Sequence, residues 1–315
     1  MGAAIEISNL VKTYKSKNGP INVVDNIDLR VEEGEIFGFL GPNGAGKTTT
    51  IKILLGIIYA TSGKAQVLGK DVGDIAIHHQ IAYLPEKPYY YEHMTGMEIL
   101  EFYGALFGIK DKKIFQGLLE KVNLAQHAGK TISQYSKGMQ QRIGLAQSLI
   151  NNPKLLFLDE PTAGLDPIAH KEIRDLILSF REEGKTVFIS SHELSDVELI
   201  CDRVAIINHG VIRQYGRLDQ LLAGGRIEIN ASGVPTELAE SFKHADHKMT
   251  IKAGELMLDM PDTSSPNDAI EKIIAAGGLV KAVLPRRKRL EDLFVETVTG
   301  QTPDQIEVHA PSRAN

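Results

Sequence analysis

Apolar and polar residues alternate along the first thirty-odd positions. "AIEISNLVKTY" and "NVVDNIDLRV" read as half-buried strands, and "EIFGFLG" as a shorter, more continuously apolar one. The period then lengthens in "KTTTIKILLGII", which predicts a helix directly after a glycine-rich loop. Short strands are expected at "KAQVLG" and "IAYL". From about Met97 to Asn151 the pattern is helical, with Ile99, Phe102, Tyr103 and Leu106 at helical spacing. "KLLFLD" and "KTVFIS" hold unbroken apolar runs, as strands buried on both faces do. The helix between them starts at Asp166 with Pro167 behind it, a capping pair, and its Ile173, Leu176, Ile177 and Phe180 share one side. "RVAIIN" and "GVIRQYG" form a late hairpin. The character changes after about Gly224. Residues 225 to about 300 read as a small α+β accessory domain, with "SPNDAIEKIIAAGG" helical and a last helix from Leu290 to Val298, and 301–315 as a loose tail.

Composition narrows the classes. A chain of 315 residues, 43% hydrophobic and 24% charged, suits one large and one small globular domain. The net charge of -5 gives no basic bias toward nucleic acid or anionic lipid. The basic run "RRKR", 286–289, reads as a solvated face. A single cysteine, Cys201, excludes an intramolecular disulfide, fits a reducing compartment and reads as a packed thiol. No stretch approaches the roughly 18 apolar residues of a membrane-spanning helix. The start, "MGAAIEISNL", has no basic-then-apolar leader. The expectation is a cytoplasmic protein that reaches a membrane only through a partner.

The chemistry begins at "GPNGAGKT", 41–48, which fits G-x-x-x-x-G-K-[ST] and lies between strand and helix. Glycines let successive backbone N–H groups curl around an anion, and the helix that follows points its positive end at the same place. Lys47 is expected to reach β- and γ-phosphates and Thr48 to hold Mg²⁺. The second feature is "LLFLDEPTAGLD", where Asp159 and Glu160 stand side by side at a strand end. Unpaired charge there is costly. In a doubly wound parallel sheet, ligands sit beyond the carboxyl ends of the strands. If the two strands are neighbours, Asp159 meets the same phosphates through Mg²⁺, and Glu160 is placed to orient an attacking water. A third strand, "TVFISSH", brings His192 to the same rim as a hydrogen-bond donor to the γ-phosphate.

A second anion-binding helix start lies in "YSKGMQQRIGLAQSLI". Ser136 caps it, Gly138 opens it, and Met139, Ile143, Ala146 and Ile150 pack behind. The chain's own phosphate loop has no obvious use for it, so it is expected to serve a phosphate held by another copy.

In that order and spacing, residues 4 to about 224 resemble the ATP-binding-cassette (ABC) ATPases. "GPNGAGKTT" stands as Walker A, "LLFLDE" as Walker B, "YSKGM" as the signature, "AGLD" as the D-loop and His192 as the switch histidine. The resemblance implies an α/β P-loop NTPase fold: a RecA-like parallel core sheet with an antiparallel β subdomain and an α-helical subdomain at about 90–151. It implies ATP and Mg²⁺ as cofactors. Gly41, Asn43, Gly44, Ala45, Gly46, Lys47, Thr48 and Thr49 would hold ATP, with Tyr14 of "VKTY" stacked on adenine. Thr48, Asp159 and the glutamine-loop position would serve the metal, and Glu160 with His192 would serve hydrolysis. Ser136, Lys137, Gly138 and Asp166 would meet the ATP of a second copy in a head-to-tail dimer.

Two positions depart from the family pattern. Glu86, in "YLPE", stands where an amide is usual, and a carboxylate there could ligate Mg²⁺ or repel the γ-phosphate. Lys137 and Met139 replace the signature's common glycine and glutamine, and Lys137 adds positive charge near the opposite nucleotide. The single cassette, "YLPE", "YSKGM" and "LEDLFVETVTG" together resemble bacterial ABC-2-type exporter ATPases. These work at the cytoplasmic face of the inner membrane with a separately encoded integral membrane permease. Tyr89, Tyr90, Tyr91 and Phe102, in the short helices at roughly 90–110, are then candidates to meet it. The alternative is a soluble ABC-type ATPase acting on ribosomes or nucleic acid, although such chains usually carry two cassettes or a long coiled coil. A P-loop kinase or GTPase would leave Ser136, Gly138 and His192 without a role.

Overall fold

The structure, a computed structural model, describes residues 2–300 except 18, 224, 244–246, 253, 262, 287–288 and the side chain of Arg286. The basic run 286–289 therefore falls largely outside the described residues, and the tail 301–315 entirely. The chain divides into two units: Met1–Leu218 with Thr297–Thr299, and Asp219–Glu296 with Gly300–Asn315.

The first unit opens on two long strands, β1 (Ala3–Ser16) and β2 (Gly19–Glu32), then β3 (Ile36–Leu40), α1 (Lys47–Leu54), β4 (Ser62–Val67) and β5 (Lys70–Asp71). Strands β2, β1, β4 and β5 form an antiparallel sheet in that order. A second sheet collects β3, β6 (Ile81–Leu84), β7 (Leu155–Asp159), β8 (Thr186–Ser191), β9 (Arg203–Asn208) and β10 (Val211–Arg217). Between β6 and β7 lie α2 (Gly96–Leu106), α3 (Lys112–Lys121) and α4 (Lys137–Ser148). α5 (Pro167–Glu182) and α6 (Leu194–Ile200) flank β8.

The order of the second sheet is β10-β9-β3-β8-β7-β6, parallel throughout except for the β9–β10 hairpin. The phosphate-loop strand β3 and the acidic strand β7 are thus not neighbours. β8 lies between them and pairs with both, Phe37 opposite Phe188 and Phe188 opposite Phe157. A βαβ crossover fixes handedness but not which strand is inserted, so local pattern leaves this order open.

β3, β7 and β8 are buried along their whole length, which their unbroken apolar runs require. Phe37, Phe39 and Phe157 ring Phe188 on one face, with centroids 5.7, 5.4 and 5.6 Å from it. These rings share one hydrophobic cluster with Ile5, Leu10, Val24 and Ile27 of the antiparallel sheet and Ile51 and Leu54 of α1. The cluster welds the strand tips to the helix behind the glycine loop. Cys201 is buried against the other face, near Gly38, and burial pushes its thiol pKa up.

In α2 the expected apolar stripe does not all face inward. Ile99 is buried, but Leu106 is 69% exposed and Phe102 is partly so. The buried face runs instead through Gly96, Ile99, Leu100 and Gly104.

After α7 (Leu218–Leu221), the second unit runs β11 (Arg226–Ser232), α8 (Thr236–Ser241), β12 (Lys248–Lys252), β13 (Glu255–Pro261), α9 (Pro266–Ala275) and β14 (Leu279–Arg286). α10 (Leu290–Thr299) follows. Its sheet order is β12-β13-β11-β14, antiparallel at every pairing, which is the ferredoxin-like split β-α-β topology. Alternate residues Ile229, Ala231, Leu256, Leu258 and Met260 build its core with Ala239, Phe242, Ala269 and Ile273.

Candidate active site

Three parallel strands end at one rim and set the site. After β3 the chain enters the glycine loop. Gly41 is pressed so closely against the Ile207 carbonyl that no side chain fits there. Gly46, the N-cap of α1, has φ 111°, a conformation open to glycine at little cost. α1 then begins at Lys47, with its free N–H groups facing the loop. Asn43, Gly44 and Thr48 are exposed there, Thr49 is half-buried, and Ala45 is buried with its N–H donated to the Pro42 carbonyl at 3.1 Å.

Lys47 is almost entirely buried. Its ammonium donates to the Gly41 carbonyl at 2.6 Å and lies 3.5 Å from Glu160 Oε1. Thr48 Oγ1 donates to Asp159 Oδ2 at 3.1 Å, so the residues expected to share a metal are in contact although their strands are not adjacent. Asp159 also accepts from the Ser190 hydroxyl, and its charge acts on the Tyr83 phenol of the neighbouring strand β6. Burial first, then the nearby Asp159 charge, push the Tyr83 phenol up to about 12.

Glu160 sits one residue beyond Asp159 with φ 52°, a left-handed conformation rare for a non-glycine residue. Its N–H continues the ladder to the Ser190 carbonyl at 2.9 Å. The turn swings its side chain away from that of Asp159. The backbone N–H of His192 donates to Glu160 Oε2 at 3.1 Å, and the His192 ring Nδ1 lies 2.6 Å from the same oxygen. Glu160 is buried and His192 half-exposed, so the imidazole screens the carboxylate from solvent. The His192 Nε2 lies 3.6 Å from Glu193 Oε1 on the other side of the ring.

Tyr14 is 42% exposed on β1, so it is no core strand tyrosine. Glu86 is exposed and pairs with Lys87 at 3.9 Å, and among the described residues it makes no contact with Thr48 or Asp159. Ser136 caps α4 by accepting the Met139 N–H at 3.3 Å, and Gly138 packs on Ala169 of α5. Lys137 lays its ammonium over Gly164 of its own D-loop. Asp166 caps α5, accepting from Ile168 and Ala169 at 3.0 Å each, and these backbone bonds, that from Ala169 foremost, hold its carboxyl below the usual range.

Of the four aromatic residues expected at a docking surface, Tyr90 is turned inward. Its hydroxyl donates to the Gln140 carbonyl at 3.0 Å beside Gly144, and burial pushes its pKa up. Tyr89 is 92% exposed, and Tyr91 and Phe102 meet edge to face at 5.4 Å.

Sequence reasoning missed Ser190 and Tyr83. Ser190 had a signal: in parallel register it stands opposite Asp159 at the strand tip. Tyr83 had none, since its meaning depends on β6 lying beside β7.

Among the described residues no three His, Cys, Asp or Glu converge as a cage. Thr48 Oγ1 and Asp159 Oδ2 are hard oxygens in contact, and such a pair suits an ion that takes its other oxygens from phosphate and water. They fit Mg²⁺.

The chain is similar to known proteins. A family profile described as ABC transporter matches residues 24–163. An uncharacterized ABC transporter ATP-binding protein of Nostoc sp. is 38% identical, over 97% of this chain and 93% of its own length. The bacitracin transport ATP-binding protein BcrA of Bacillus licheniformis is 34% identical, over 96% of this chain and 99% of its own. Among solved structures, an ATP-binding subunit of an ABC transporter superposes with TM-score 0.62 at 29% identity, covering 69% of this chain and 91% of its own. A dimeric ATP-binding cassette in a post-hydrolysis state, bound to ADP and phosphate, gives TM-score 0.63 at 25% identity, covering 68% and 98%. Strand order, the glycine cradle, the acidic doublet and these likenesses agree: the chain belongs to the ABC transporter family of ATP-binding proteins.

Proposed function

We propose that this chain is the ATP-hydrolysing subunit of an ABC-2-type exporter, working at the cytoplasmic face of a membrane with a separate integral membrane permease. The carrying observation is the convergence of Lys47, Thr48, Asp159, Glu160 and His192 at three parallel strand ends. The name of the similar BcrA, a bacitracin transport protein, supports the exporter class.

The loop N–H groups from Gly41 to Thr49 and the Lys47 ammonium hold the triphosphate. Tyr14 offers an open aromatic face to adenine. Thr48 and Asp159 would hold Mg²⁺, and the ion would supply charge neutralisation to the phosphates. Glu160 accepts a proton from the attacking water, and His192 fixes the orientation of that carboxylate. The exposed Ser136, with the start of α4, meets the ATP of a second copy arranged head to tail. Lys137 and Gly138 at the same helix start, and Asp166 in the D-loop, meet that ATP as well, with Asp166 capping α5 and Lys137 lying beside Gly164. Tyr89, Tyr91 and Phe102 form the surface for the permease.

The test is phosphate release by the purified chain together with its location in cells. Hydrolysis is expected to need Mg²⁺, to rise more steeply than linearly with protein concentration, and to accompany co-purification with an integral membrane protein. Co-purification with nucleic acid and no membrane protein would overturn the exporter reading.

A further inference from the structure

The aromatic face given to adenine is not set by Tyr14 alone. Lys12 precedes it by two residues on β1, so both side chains emerge on the same side of the strand. The Lys12 ammonium stands over the Tyr14 ring, 5.1 Å from its centroid. It also donates to the Tyr59 carbonyl at 2.7 Å. Tyr59 lies in the segment between α1 and β4, the continuation of the helix that opens at Lys47. Two further bonds tie the same segment to β1: Thr61 N–H to the Val11 carbonyl at 2.8 Å, and Thr13 N–H to Thr61 Oγ1 at 2.9 Å.

We infer that Lys12 is a positioning residue for the nucleotide base: clamped between the Tyr59 carbonyl and the Tyr14 ring, it fixes the aromatic platform relative to the phosphate cradle. The physical logic has two parts. Tyr14 is 42% exposed near the end of a long hairpin, so little packing from its own strand pair fixes the ring's direction. A cation on one ring face is attracted to the π system and occupies that face, leaving the other for a flat base. The Tyr59 carbonyl holds the cation in place, because an ammonium on a four-carbon stem would otherwise wander in solvent. The platform and the loop holding the phosphates are then linked through α1, so a bound ATP meets both at the right separation.

The inference rests on Tyr14 being the base platform, and the experiment separates the two. Binding of ATP and of inorganic tripolyphosphate, which has no base, is measured for the parent, Lys12→Met, Lys12→Arg, Tyr14→Ala and the Lys12→Met/Tyr14→Ala pair. Lys12→Met is expected to raise the Kd for ATP about fivefold, the range of one exposed cation–π contact, with tripolyphosphate unchanged. In the Tyr14→Ala background it is expected to add nothing. Lys12→Arg keeps a cation over the ring and stays within about twofold of the parent. Equal weakening of both ligands would overturn the inference, because Lys12 would then serve the phosphates or the fold. A full Lys12→Met loss on top of Tyr14→Ala, or a Lys12→Arg loss equal to that of Lys12→Met, would remove the role of Lys12 and leave the platform standing. Parental ATP affinity in Tyr14→Ala would remove the platform and the inference together.

Discussion

Replacing Glu160 by glutamine tests the division of labour between the two acids. Glu160 divides its oxygens: Oε2 faces the His192 N–H and ring, and Oε1 faces Lys47 at 3.5 Å. A glutamine of the same shape keeps an acceptor toward His192 if its carbonyl turns that way. Its NH₂ then points at the Lys47 ammonium, donor against donor. That contact weakens the hold on Lys47 and frees the ammonium for phosphate, so ATP affinity is expected to be kept or raised. The amide cannot take a proton from water. A positioned general base contributes at least about a hundredfold, so turnover should fall by two or more orders of magnitude, about 2.7 kcal/mol or more in the barrier. The assay is steady-state phosphate release beside equilibrium ATP binding, with mass by light scattering. Binding without turnover should leave an ATP-loaded dimer. A Glu160→Gln chain that turns over ATP like the parent would refute the role given to this carboxylate.

Four further outcomes are expected. Ser190→Ala removes a hydrogen bond that orients Asp159, so the Mg²⁺ concentration for half-maximal activity should rise about tenfold, while an unchanged Mg²⁺ titration would count against that role. The Tyr83 pKa of about 12 against the ordinary 10.0 means the folded state keeps a proton that the unfolded chain releases. The resulting stability is whole below pH 10 and lost from there toward pH 12, and Tyr83→Phe should flatten that part of the denaturation profile. Phe188→Ala, at the centre of three ring contacts, should cost about 3–5 kcal/mol in chemical denaturation. Cys201, buried with a raised pKa, should resist thiol reagents in buffer and react fully in denaturant; rapid labelling of the native protein would contradict its packing.

What could be read from the sequence was local. The cap of α5 by Asp166 and Pro167, the cap of α4 by Ser136, and the loop from Gly41 to Thr48 each depend on a few consecutive residues. The insertion of β8 between β3 and β7 depends on crossover choice, which no window of sequence holds. The same limit hid Tyr83, which feels the charge of Asp159 76 positions away on the neighbouring strand. Exposure misled where function and core use the same residue types. Phe102 and Leu106 keep the spacing of a buried stripe yet face outward, and in the run Tyr89–Tyr91 only the middle ring turns in toward α4. The second unit's α+β content was visible as pattern, but its strand order again needed the structure.

In the proposed dimer each ATP site is finished by a second copy through the start of α4. The direct measurement is the mass of a Glu160→Gln/Ser136→Arg chain with Mg·ATP, set beside Glu160→Gln alone. Losing the α4 cap costs about 1 kcal/mol, so the double variant should still fold. It should bind ATP as tightly as a monomer does and remain a monomer, whereas Glu160→Gln alone should double in mass. A double variant that dimerises on ATP as readily as the single one would contradict the shared site.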